Sequence, residues 1–569
     1  QICARLDGIP LALELAAAQV QKLAVNEIAS RLDDRFNFLA RGNRGVLPRQ
    51  QTLRASIAWS YDLLTEQERV LFRRLAVFAG GWTLQAAEAV CADGPLNSRG
   101  MSDLLSHLVE KSLATSEAQG EELRYQMLDT IRHYASEKLS EAREGEKLRN
   151  RHLRYFLKFA EHTEPMLRTA RRLEWLPRLE IEHDNLRAAL EWASERDLET
   201  AHALAGILER FWFFGDHLAE ARTWYARVLN AGKRLTITKG LALALFGSGA
   251  TSLNLEYLDE AQVPLEQSVV LWRKLGEPGR LAFSLAWLAY WLLQRGEGER
   301  ARAIFAEHES LFRASAGGEM LLWVLCNWGA ANAAAQPDDP TAKAKLDEAL
   351  SLARAENDPF KYVLCYSSLG DWAVLQGDYA SARGYFLESL EWRRQLGTRW
   401  IIGAGLWQVA NIMCVQGDYQ QAEPLYTEAL AMARGLGDQR TEAHIAQELG
   451  VVATHRQDIR SASKLLAESL EAFREWADSL GITRCLLGFA ELRQVQGNIA
   501  QATQLLGFVE TWLQSNHLKL MHFDRTNYER NVAAARAQLD EAMFNAARDA
   551  GRKMTVDQAI ELAMKNTTE

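Results

Sequence analysis

The chain has 569 residues, which is more than one hydrophobic core usually serves, so several domains or a repeat array are expected. Hydrophobic residues make up 48% and charged residues 24% of the sequence, and these proportions exclude a mainly disordered chain. Only 11 prolines occur, which favours a mostly helical protein over an all-β one. The net charge of -9 falls almost entirely after position 150. Because an acidic surface repels phosphate, we do not expect that part of the chain to bind nucleic acid.

The cysteines and the apolar segments bear on the compartment. The six cysteines are scattered, without a CxxC pair or histidines at metal-binding spacing, so we expect reduced thiols, a cytoplasmic protein and no metal site. The longest apolar stretch, residues 281–293, is too short to span a bilayer and predicts a buried helix, so no membrane contact is expected. The chain begins QICARLDGIP, without a methionine or a signal peptide, which we interpret as a piece of a longer protein.

The first predicted elements are helices. Gly8-Ile9-Pro10 precedes an apolar helix predicted for residues 11–20, with the proline in the tolerated first turn; alone, this is typical of an ordinary junction between a loop and a helix. An amphipathic helix is predicted over residues 51–64. A capping box at Thr65–Glu68 begins another helix, which we expect to run through Phe78.

Short helices near residues 83–90 and 102–111 are followed by two strand-like segments. Residues 113–116 and 124–127 can pair as a hairpin around Gln119-Gly120. Helices followed by such a wing predict a winged-helix-like domain, to which we assign residues 46–145. Winged helices often bind DNA through a basic helix, but the candidate helix, SDLLSHLVEKS, carries one lysine against two acidic residues. We therefore expect no direct contact between this chain and nucleic acid.

Beyond a helical linker predicted for residues 146–200, the sequence repeats itself. Eight alanines follow one another at intervals of 40 residues, with one interval of 41. They are Ala221, Ala261, Ala301, Ala342, Ala382, Ala422, Ala462 and Ala502. Four residues after each alanine, on the same helix face, stands a large apolar residue. Twelve residues before it stands glycine or alanine, except in the first repeat, which has Glu209.

Turn signals divide each repeat into two helices. Gly377-Asp378, Gly417-Asp418 and Gly497-Asn498 end one helix and begin the next. Each repeat therefore predicts a helical hairpin in which the small residue permits close approach, the alanine lies at the crossing and the large residue fills the gap to the next hairpin. We predict eight hairpins over residues 201–515 and a helical cap over 516–569. An irregular helical bundle is the alternative.

The order of small residue, alanine and large residue resembles the tetratricopeptide repeat, whose usual period is about 34 residues. The resemblance implies an all-α chain, in which a winged-helix-like domain precedes a right-handed α-solenoid. In such arrays the residues fifteen and eleven positions before the alanine line the concave face. In repeats four to seven these are Asn327, Ala331, Ser367, Asp371, Trp407, Asn411, Gln447 and Val451. They form a candidate groove for a peptide backbone or a small polar ligand; the alternative is that they are merely solvated.

Several segments together resemble bacterial STAND signalling ATPases, relatives of the NB-ARC switches, over nearly the whole chain. The segments are GIPLA, LPRQQTLRASIAWSYDLL, LFRRLAVFAGGWTLQAAEAVC, RYQMLDTIRHYASEKL and HDNLRAALEWA. The resemblance implies that residues 1–45 end the helical subdomain of an ATPase core. It also implies that Gly8 and Pro10 match a motif packed near the adenine of the nucleotide.

The same family carries a Met-His-Asp motif whose histidine senses the β-phosphate, and its counterpart here is Met127-Leu128-Asp129. Leucine cannot donate a hydrogen bond, which puts direct phosphate sensing at Leu128 in question. The phosphate loop GxxxxGK[ST] does not occur in the sequence. We therefore expect the chain to be no enzyme and to hold no cofactor, whereas ATP or ADP with magnesium is implied for a longer parent protein.

The resemblance implies a transcriptional or signalling regulator. Its repeats would bind a protein, peptide or small-molecule inducer, and an upstream ATPase core in cis would change between a closed state with ADP and an open, oligomerising state with ATP. The alternative is a stand-alone tetratricopeptide scaffold that binds a protein partner without nucleotide. A hydrolase hidden in the groove finds no support, because no Ser-His-acid constellation or GxSxG motif stands out.

Overall fold

The computed structural model describes residues 54, 57–119, 122–230, 237–315, 318–516, 520 and 522–565. The chain divides into two compact units. Of the described residues, the first unit contains those up to 163 and 177–204, and the second contains 164–176 and those from 205 onward. Within the described part of the chain, no helix combines the length and the apolar character that crossing a membrane requires.

The first unit contains the winged-helix domain. Its elements are Glu66–Leu75 (α1), Trp82–Thr83 (β1), Leu84–Cys91 (α2), Met101–Glu110 (α3), Thr115–Gln119 (β2), Glu122–Gln126 (β3) and Asp129–Glu141 (α4). Residues 57–62 are helical as well. Outside the described residues lie Gly8, Pro10, the helix predicted for 11–20, and residues 51–53, 55 and 56 of the next predicted helix.

The predicted capping box at the start of α1 is confirmed. The Glu68 N–H donates to Thr65 Oγ1 at 3.3 Å, and the Thr65 N–H donates to the Glu68 carboxylate at 2.7 Å. Burial alone would raise the pKa of Glu68, but hydrogen bonds from Lys111 and Thr65 lower it to about 2. The helix ends at Leu75 rather than at Phe78, because the next amides bond to carbonyls only three residues back.

The predicted hairpin is also confirmed. Strands β2 and β3 pair antiparallel with Ser116 opposite Tyr125, and β1 adds to the other edge of β3 to give the order β1-β3-β2. The sequence did not predict β1, because its two residues are too few to show a period. Trp82 of β1 is 1% exposed and packs against Phe78, so β1 contributes to the core of the domain.

The next helices are Gly145–Leu167 (α5), Arg172–Ile181 (α6), His183–Arg196 (α7) and Leu198–Ile207 (α8). Residues 164–176 and 205–207 of this stretch belong to the second unit, and the rest belongs to the first. Asn185 of α7 is fully buried and attaches this part to the winged-helix domain. Its Oδ1 accepts from the Ala79 N–H at 3.0 Å, and its Nδ2 donates to the Gly81 carbonyl at 2.9 Å. The HDNLRAALEWA segment therefore holds the turn between α1 and β1 in place.

The second unit is a row of helical hairpins. Its helices, after the end of α8, are Glu209–Phe214 (α9), Leu218–Asn230 (α10), Lys239–Asn254 (α11), Leu258–Leu275 (α12), Pro278–Gln294 (α13), Gly298–Glu307 (α14), Glu309–Ser315 (α15), Gly318–Ala335 (α16), Pro340–Glu356 (α17), Pro359–Leu375 (α18), Tyr379–Leu396 (α19), Arg399–Val415 (α20), Tyr419–Leu436 (α21), Gln439–His455 (α22), Ile459–Glu475 (α23), Ser479–Val495 (α24) and Ile499–Ser515 (α25). The predicted helical repeats are thus confirmed.

The eight repeated alanines are all fully buried, and the large residues four positions later are at most 2% exposed. The large residue packs onto the small residue of its own hairpin. A Cβ placed on Gly370 would lie 2.4 Å from Phe386 Cε1, and one placed on Gly450 would lie 2.8 Å from Leu466 Cγ. Leu466 also reaches Gly488 in the next hairpin, so the large residue fills both gaps.

The fourth repeat departs from the predicted alignment by one residue. There Gly329, rather than Ala330, meets the large residue, because a Cβ on Gly329 would lie 2.8 Å from Leu346 Cγ. The single interval of 41 residues in the alanine series marks the same shift. As a result, Ala331 is fully buried in an apolar core and does not line the groove as predicted.

Residues far apart in the array lie against one another. The Thr398 hydroxyl donates to the Phe214 carbonyl at 3.0 Å, and Arg440 Nη1 donates to the Glu256 carbonyl at 3.1 Å; both pairs are separated by 184 positions. An apolar cluster that includes Phe213, Phe360 and Ile401 accompanies these contacts. Repeats five places apart therefore share a packed interface.

A segment of the predicted linker belongs to the second unit. Arg172, which is 1% exposed, donates to the Asp358 carboxylate at 2.8 and 3.0 Å and to Glu319 at 3.2 Å. Its guanidinium also lies over the rings of Phe214 and Phe360, at 4.8 and 5.0 Å. Residues 164–176 are thus fixed to the repeats by a buried ionic contact.

Three further helices follow the repeats, and they are His522–Gln538 (α26), Glu541–Arg552 (α27) and Val556–Met564 (α28). Helix α27 packs closely on α25, where a Cβ on Gly507 would lie 2.3 Å from the Arg548 carbonyl oxygen. Ala559 and Ile560 of α28 join the apolar core of the last repeat. These two helices cover the end of the array, whereas α26 lies against α24.

Candidate ligand-binding groove

Four of the predicted groove residues lie together. Trp407 and Asn411 of α20 and Gln447 of α22 line one cavity of about 110 Å³. Val451, one turn further along α22, lines it too. The spacing of fifteen and eleven positions before the alanine therefore brings repeats six and seven to a common cavity.

Two buried polar atoms of residues that line this cavity have no hydrogen-bond partner among the described residues. Gln447 is 4% exposed and its Oε1 is unpaired, and the buried indole Nε1 of Trp407 is unpaired as well. A buried polar atom without a partner costs about 1–3 kcal/mol. An acceptor and a donor left open beside one cavity are what a polar ligand would complete.

Asn411 is held by its neighbour across the hairpin. Its Oδ1 accepts a hydrogen bond from the Tyr426 hydroxyl at 2.5 Å. Burial raises the pKa of Tyr426 well above its ordinary value, so the phenol stays protonated and remains a donor. Tyr426 is the large residue of its repeat, and it therefore connects the repeat core to the cavity wall.

The remaining wall comes from α24 and from α26, which lies against α24. Arg484 Nε donates to the Asp524 carboxylate at 3.1 Å, and Arg530 Nη2 donates to Glu491 Oε1 at 3.1 Å. Arg484, Asp524 and Arg530 all line the cavity. The repeat pattern did not predict this wall, because α26 follows the last repeat and carries none of its spacing.

The predicted residues of repeat five lie elsewhere. Ser367 Oγ accepts from Arg393 Nη2 at 2.8 Å, and the same nitrogen donates to Gln408 Oε1 at 2.7 Å. Burial lowers the pKa of Arg393 to about 10, while the charge of Asp371 opposes that shift. Ser367 is thus part of an arginine-centred network that joins α18, α19 and α20.

Asp371 is exposed to water, yet its environment is not that of a free surface. Desolvation by the surrounding protein raises its pKa to about 7, against the attraction of Arg393. Burial, with the charge of Asp371, also raises the pKa of Tyr290 to about 12. The carboxyl is therefore partly protonated at neutral pH.

Asn327 is engaged within its own helix, because its Nδ2 donates to the Trp323 carbonyl at 2.9 Å. It does not line the cavity of repeats six and seven. The predicted groove residues therefore fall into one cavity, one arginine-centred network with Asp371 nearby, this separate asparagine and the buried Ala331.

The motif proposed to face a nucleotide is divided between core and surface. Met127 is buried, Leu128 is 41% exposed at the start of α4, and Asp129 pairs with Arg132 at 2.9 Å. The exposed leucine offers no hydrogen-bond donor to a phosphate. This segment therefore does not fit direct phosphate recognition. Gly8 and Pro10 lie outside the described residues.

Helix α3 and the wing expose acidic side chains. On α3, Asp103 and Glu110 are exposed, and Lys111 at its end donates to the Glu68 carboxylate at 2.8 Å. The wing exposes Glu117 and Glu122. Phosphate contacts need cationic side chains, which these exposed positions lack.

Two family profiles match the chain. Residues 64–140 match the family described as "Winged helix-turn-helix domain", and residues 402–475 match "Tetratricopeptide repeat". The chain thus combines a winged-helix domain with tetratricopeptide-like helical repeats.

Curated proteins from mycobacteria match parts of the chain. A Mycobacterium tuberculosis protein described as "Putative HTH-type transcriptional regulator" is 36% identical over 408 residues, covering 70% of this chain and 44% of the relative. An "Uncharacterized protein" of the same species is 41% identical over 157 residues, covering 27% of this chain and 40% of that protein. The chain therefore spans less than half the length of the curated relatives it matches.

Among solved structures, the chain is similar to a STAND protein with a tetratricopeptide repeat sensor from Pyrococcus horikoshii. The TM-score is 0.45 at 15% identity, covering 89% of this chain and 73% of that one. It is also similar to a Rap protein complexed with competence and sporulation factor. There the TM-score is 0.38 at 13% identity, covering 60% of this chain and 99% of that one.

Proposed function

We propose that this chain is the sensor and regulatory arm of a STAND-type signalling ATPase that controls transcription or another signalling output. The observation that carries the proposal is the cavity in repeats six and seven, where Gln447 Oε1 and Trp407 Nε1 are buried and no described residue pairs with them. An inducer or a protein partner binds the repeats there. Its preference for one state of the protein shifts the equilibrium of an upstream ATPase core, with oligomerisation of the active state.

The relative described as a transcriptional regulator supports the regulatory role, since it matches over 408 residues. We propose that catalysis belongs to the longer protein. The chain has no GxxxxGK[ST] motif, and Leu128 presents no donor to a phosphate, so ATP or ADP with magnesium would be held by residues outside this chain. The 569 residues themselves are accordingly no enzyme.

We propose further that the winged-helix domain does not bind DNA. The exposed acidic residues of α3 and of the wing support this, because they repel the phosphate backbone. In an electrophoretic mobility assay with random duplex DNA at low salt, the chain should cause no shift. A retarded band that disappears as salt is raised would contradict the proposal.

A stand-alone tetratricopeptide scaffold is the second candidate, because the cavity could serve a partner without any nucleotide switch. Titration of a fluorescent ADP analogue separates the two. The protein made from the natural reading frame extended upstream of Gln1 should bind the analogue, and the 569-residue chain should not. If the extended protein contains no phosphate loop and binds neither ADP nor ATP, the scaffold is correct.

A further inference from the structure

We propose that the cavity lined by Trp407, Gln447 and Glu448 binds a primary ammonium group with a carbonyl oxygen beside it, as at the amino terminus of a peptide. The inference rests on the proposed function, in which the repeats receive a signal, and names the chemistry of that signal. The cavity of about 110 Å³ is large enough for such a group and opens between α20, α22, α24 and α26.

The acceptors in the cavity are open. Gln447 is 4% exposed, and its Oε1 has no hydrogen-bond partner within the described part of the chain. Glu448, the next residue, also lines the cavity, and it forms neither a hydrogen bond nor an ion pair with another described residue. An amide oxygen next to a free carboxylate matches an ammonium group, which has three donors and no acceptor.

The charge balance favours a cation over an anion. Arg484 is already paired with Asp524, and Arg530 is already paired with Glu491. When Glu448 is ionised, Arg484 attracts it and Asp524 and Glu491 repel it, but it has no ion-paired partner among the described residues. Both guanidinium groups are already in ion pairs and are poorly placed to bind a ligand carboxylate, whereas Glu448 has no ion-paired partner among the described residues and can bind a ligand ammonium group.

Trp407 supplies a donor to the same cavity, so the ligand also needs an acceptor. Trp407 Nε1 is buried without a partner, and its ring stacks on His444 with centroids 6.1 Å apart. An indole N–H can only donate, so the ligand must present an oxygen. In the first residue of a peptide, the ammonium nitrogen and the carbonyl carbon are both bonded to the Cα. Such a residue therefore offers a donor group to Gln447 and Glu448 and an acceptor oxygen to Trp407.

The protonation of Glu448 gives the binding a signature. Burial raises the pKa of Glu448 to about 7, and Asp524 and Glu491 add to the shift while Arg484 opposes it. The titratable and charged groups around it are Cys414, Tyr419, Tyr426, Arg484, Cys485, Glu491, Asp524 and Arg530. An ammonium ion favours the ionised carboxylate, so its binding should release a proton when the pH is below about 7.

Isothermal titration calorimetry of the 569-residue chain tests the proposal with three probes. They are triglycine amide with a free amino terminus, N-acetyl-triglycine amide and glycinamide. The free tripeptide should bind at least about tenfold more tightly than the acetylated one. If glycinamide binds as tightly as triglycine amide, the ligand is a small amine; if it binds more weakly, the ligand is a peptide terminus.

Two variants complete the test. Glu448→Gln should weaken triglycine amide at least about tenfold and abolish the proton release that titrations near pH 6 in buffers of different ionisation heat report. Glu442→Gln is the control, because Glu442 lies on the same helix but is paired with Arg434. This variant should change neither the affinity for triglycine amide nor the proton release. Equal binding of the acetylated peptide, unchanged binding by Glu448→Gln, or no binding by any probe would overturn the proposal. The nucleotide titration of the extended protein does not involve this cavity, so a failure here leaves the proposed function to be judged by that experiment.

Discussion

The Asp216 carboxylate accepts a hydrogen bond from the backbone N–H of Trp400, 184 positions further along the chain, at 3.0 Å. It also accepts from the Arg399 N–H at 3.1 Å. The first helices of neighbouring repeats are capped by their own aspartates, Asp358 and Asp438. Helix α20 has Thr398 at that position instead, without a side-chain cap bond, so the first repeat supplies the cap of the sixth.

Replacing Asp216 by alanine should loosen this contact between distant repeats. The variant loses an N-cap interaction, which typically contributes about 1 kcal/mol. We expect hydrogen exchange at the amides of Arg399 and Trp400 to accelerate about fivefold or more. Asp458→Ala removes a cap within a single repeat, where Asp458 accepts from the Ser461 N–H. That control should leave the exchange rates of both amides unchanged. Equal exchange rates at these amides in the Asp216→Ala and Asp458→Ala variants would contradict the role assigned to Asp216.

Arg172→Met should destabilise the second unit strongly. The substitution leaves the buried carboxylate of Asp358 without its bidentate partner, and losing one member of a buried pair costs about 3–5 kcal/mol. The midpoint of urea unfolding, followed by circular dichroism, should fall accordingly. Arg171→Ala removes an exposed pair with Glu174 and should cost less than about 1 kcal/mol. Similar midpoints for the two variants would show that Arg172 does not fix the segment.

The close approach within a repeat can be tested with two glycines. A Cβ on Gly370 would lie 2.4 Å from the buried Phe386 ring, so Gly370→Ala should destabilise by about 1–3 kcal/mol. Gly384 lies in α19 with nothing within 4 Å of such a Cβ. Gly384→Ala should therefore stabilise by about 0.5–1 kcal/mol through helix propensity. Thermal melts of both variants measure the difference, and a stabilising Gly370→Ala would refute the packing described here.

The raised pKa of Asp371 predicts a pH dependence. Because the folded protein binds this proton more tightly than the unfolded chain does, stability is lost as pH rises from about 4 to about 7. Asp371→Asn cannot ionise, so it should melt above the natural protein near pH 8 by about 1–2 °C, a small gain because the carboxyl reaches water. Near pH 4 the two should coincide. The pKa of Asp378 is lowered by its bonds to Ser381, so the ionised carboxylate stabilises the folded protein. Asp378→Ala should therefore melt below the natural protein near pH 8.

The local structure could be predicted from the sequence because it depends on neighbouring residues. The capping box at Thr65, the wing and the buried alanines from Ala221 to Ala502 all follow from short-range patterns. The shift at Gly329 was visible as the interval of 41 residues, but the position of the insertion within the repeat was not. Only the packing against Leu346 identifies it.

The contacts that build the candidate site depend on long-range geometry. A period of 40 residues predicts which repeats are adjacent, but not that Asp216 would reach Trp400 or that Arg172 would enter the repeats. It likewise predicts Trp407 and Gln447, but not the wall formed by α26. Asp524 and Arg530 could be recognised only once their partners on α24 were known.

The coupling between the repeats and the nucleotide is the central claim, and one measurement tests it most directly. The dissociation constant of ADP is measured for the protein extended upstream of Gln1, with and without saturating triglycine amide. The account predicts that the peptide weakens ADP binding at least about fivefold, and that Glu448→Gln removes the effect. An ADP affinity that stays the same while calorimetry shows the peptide bound would contradict it.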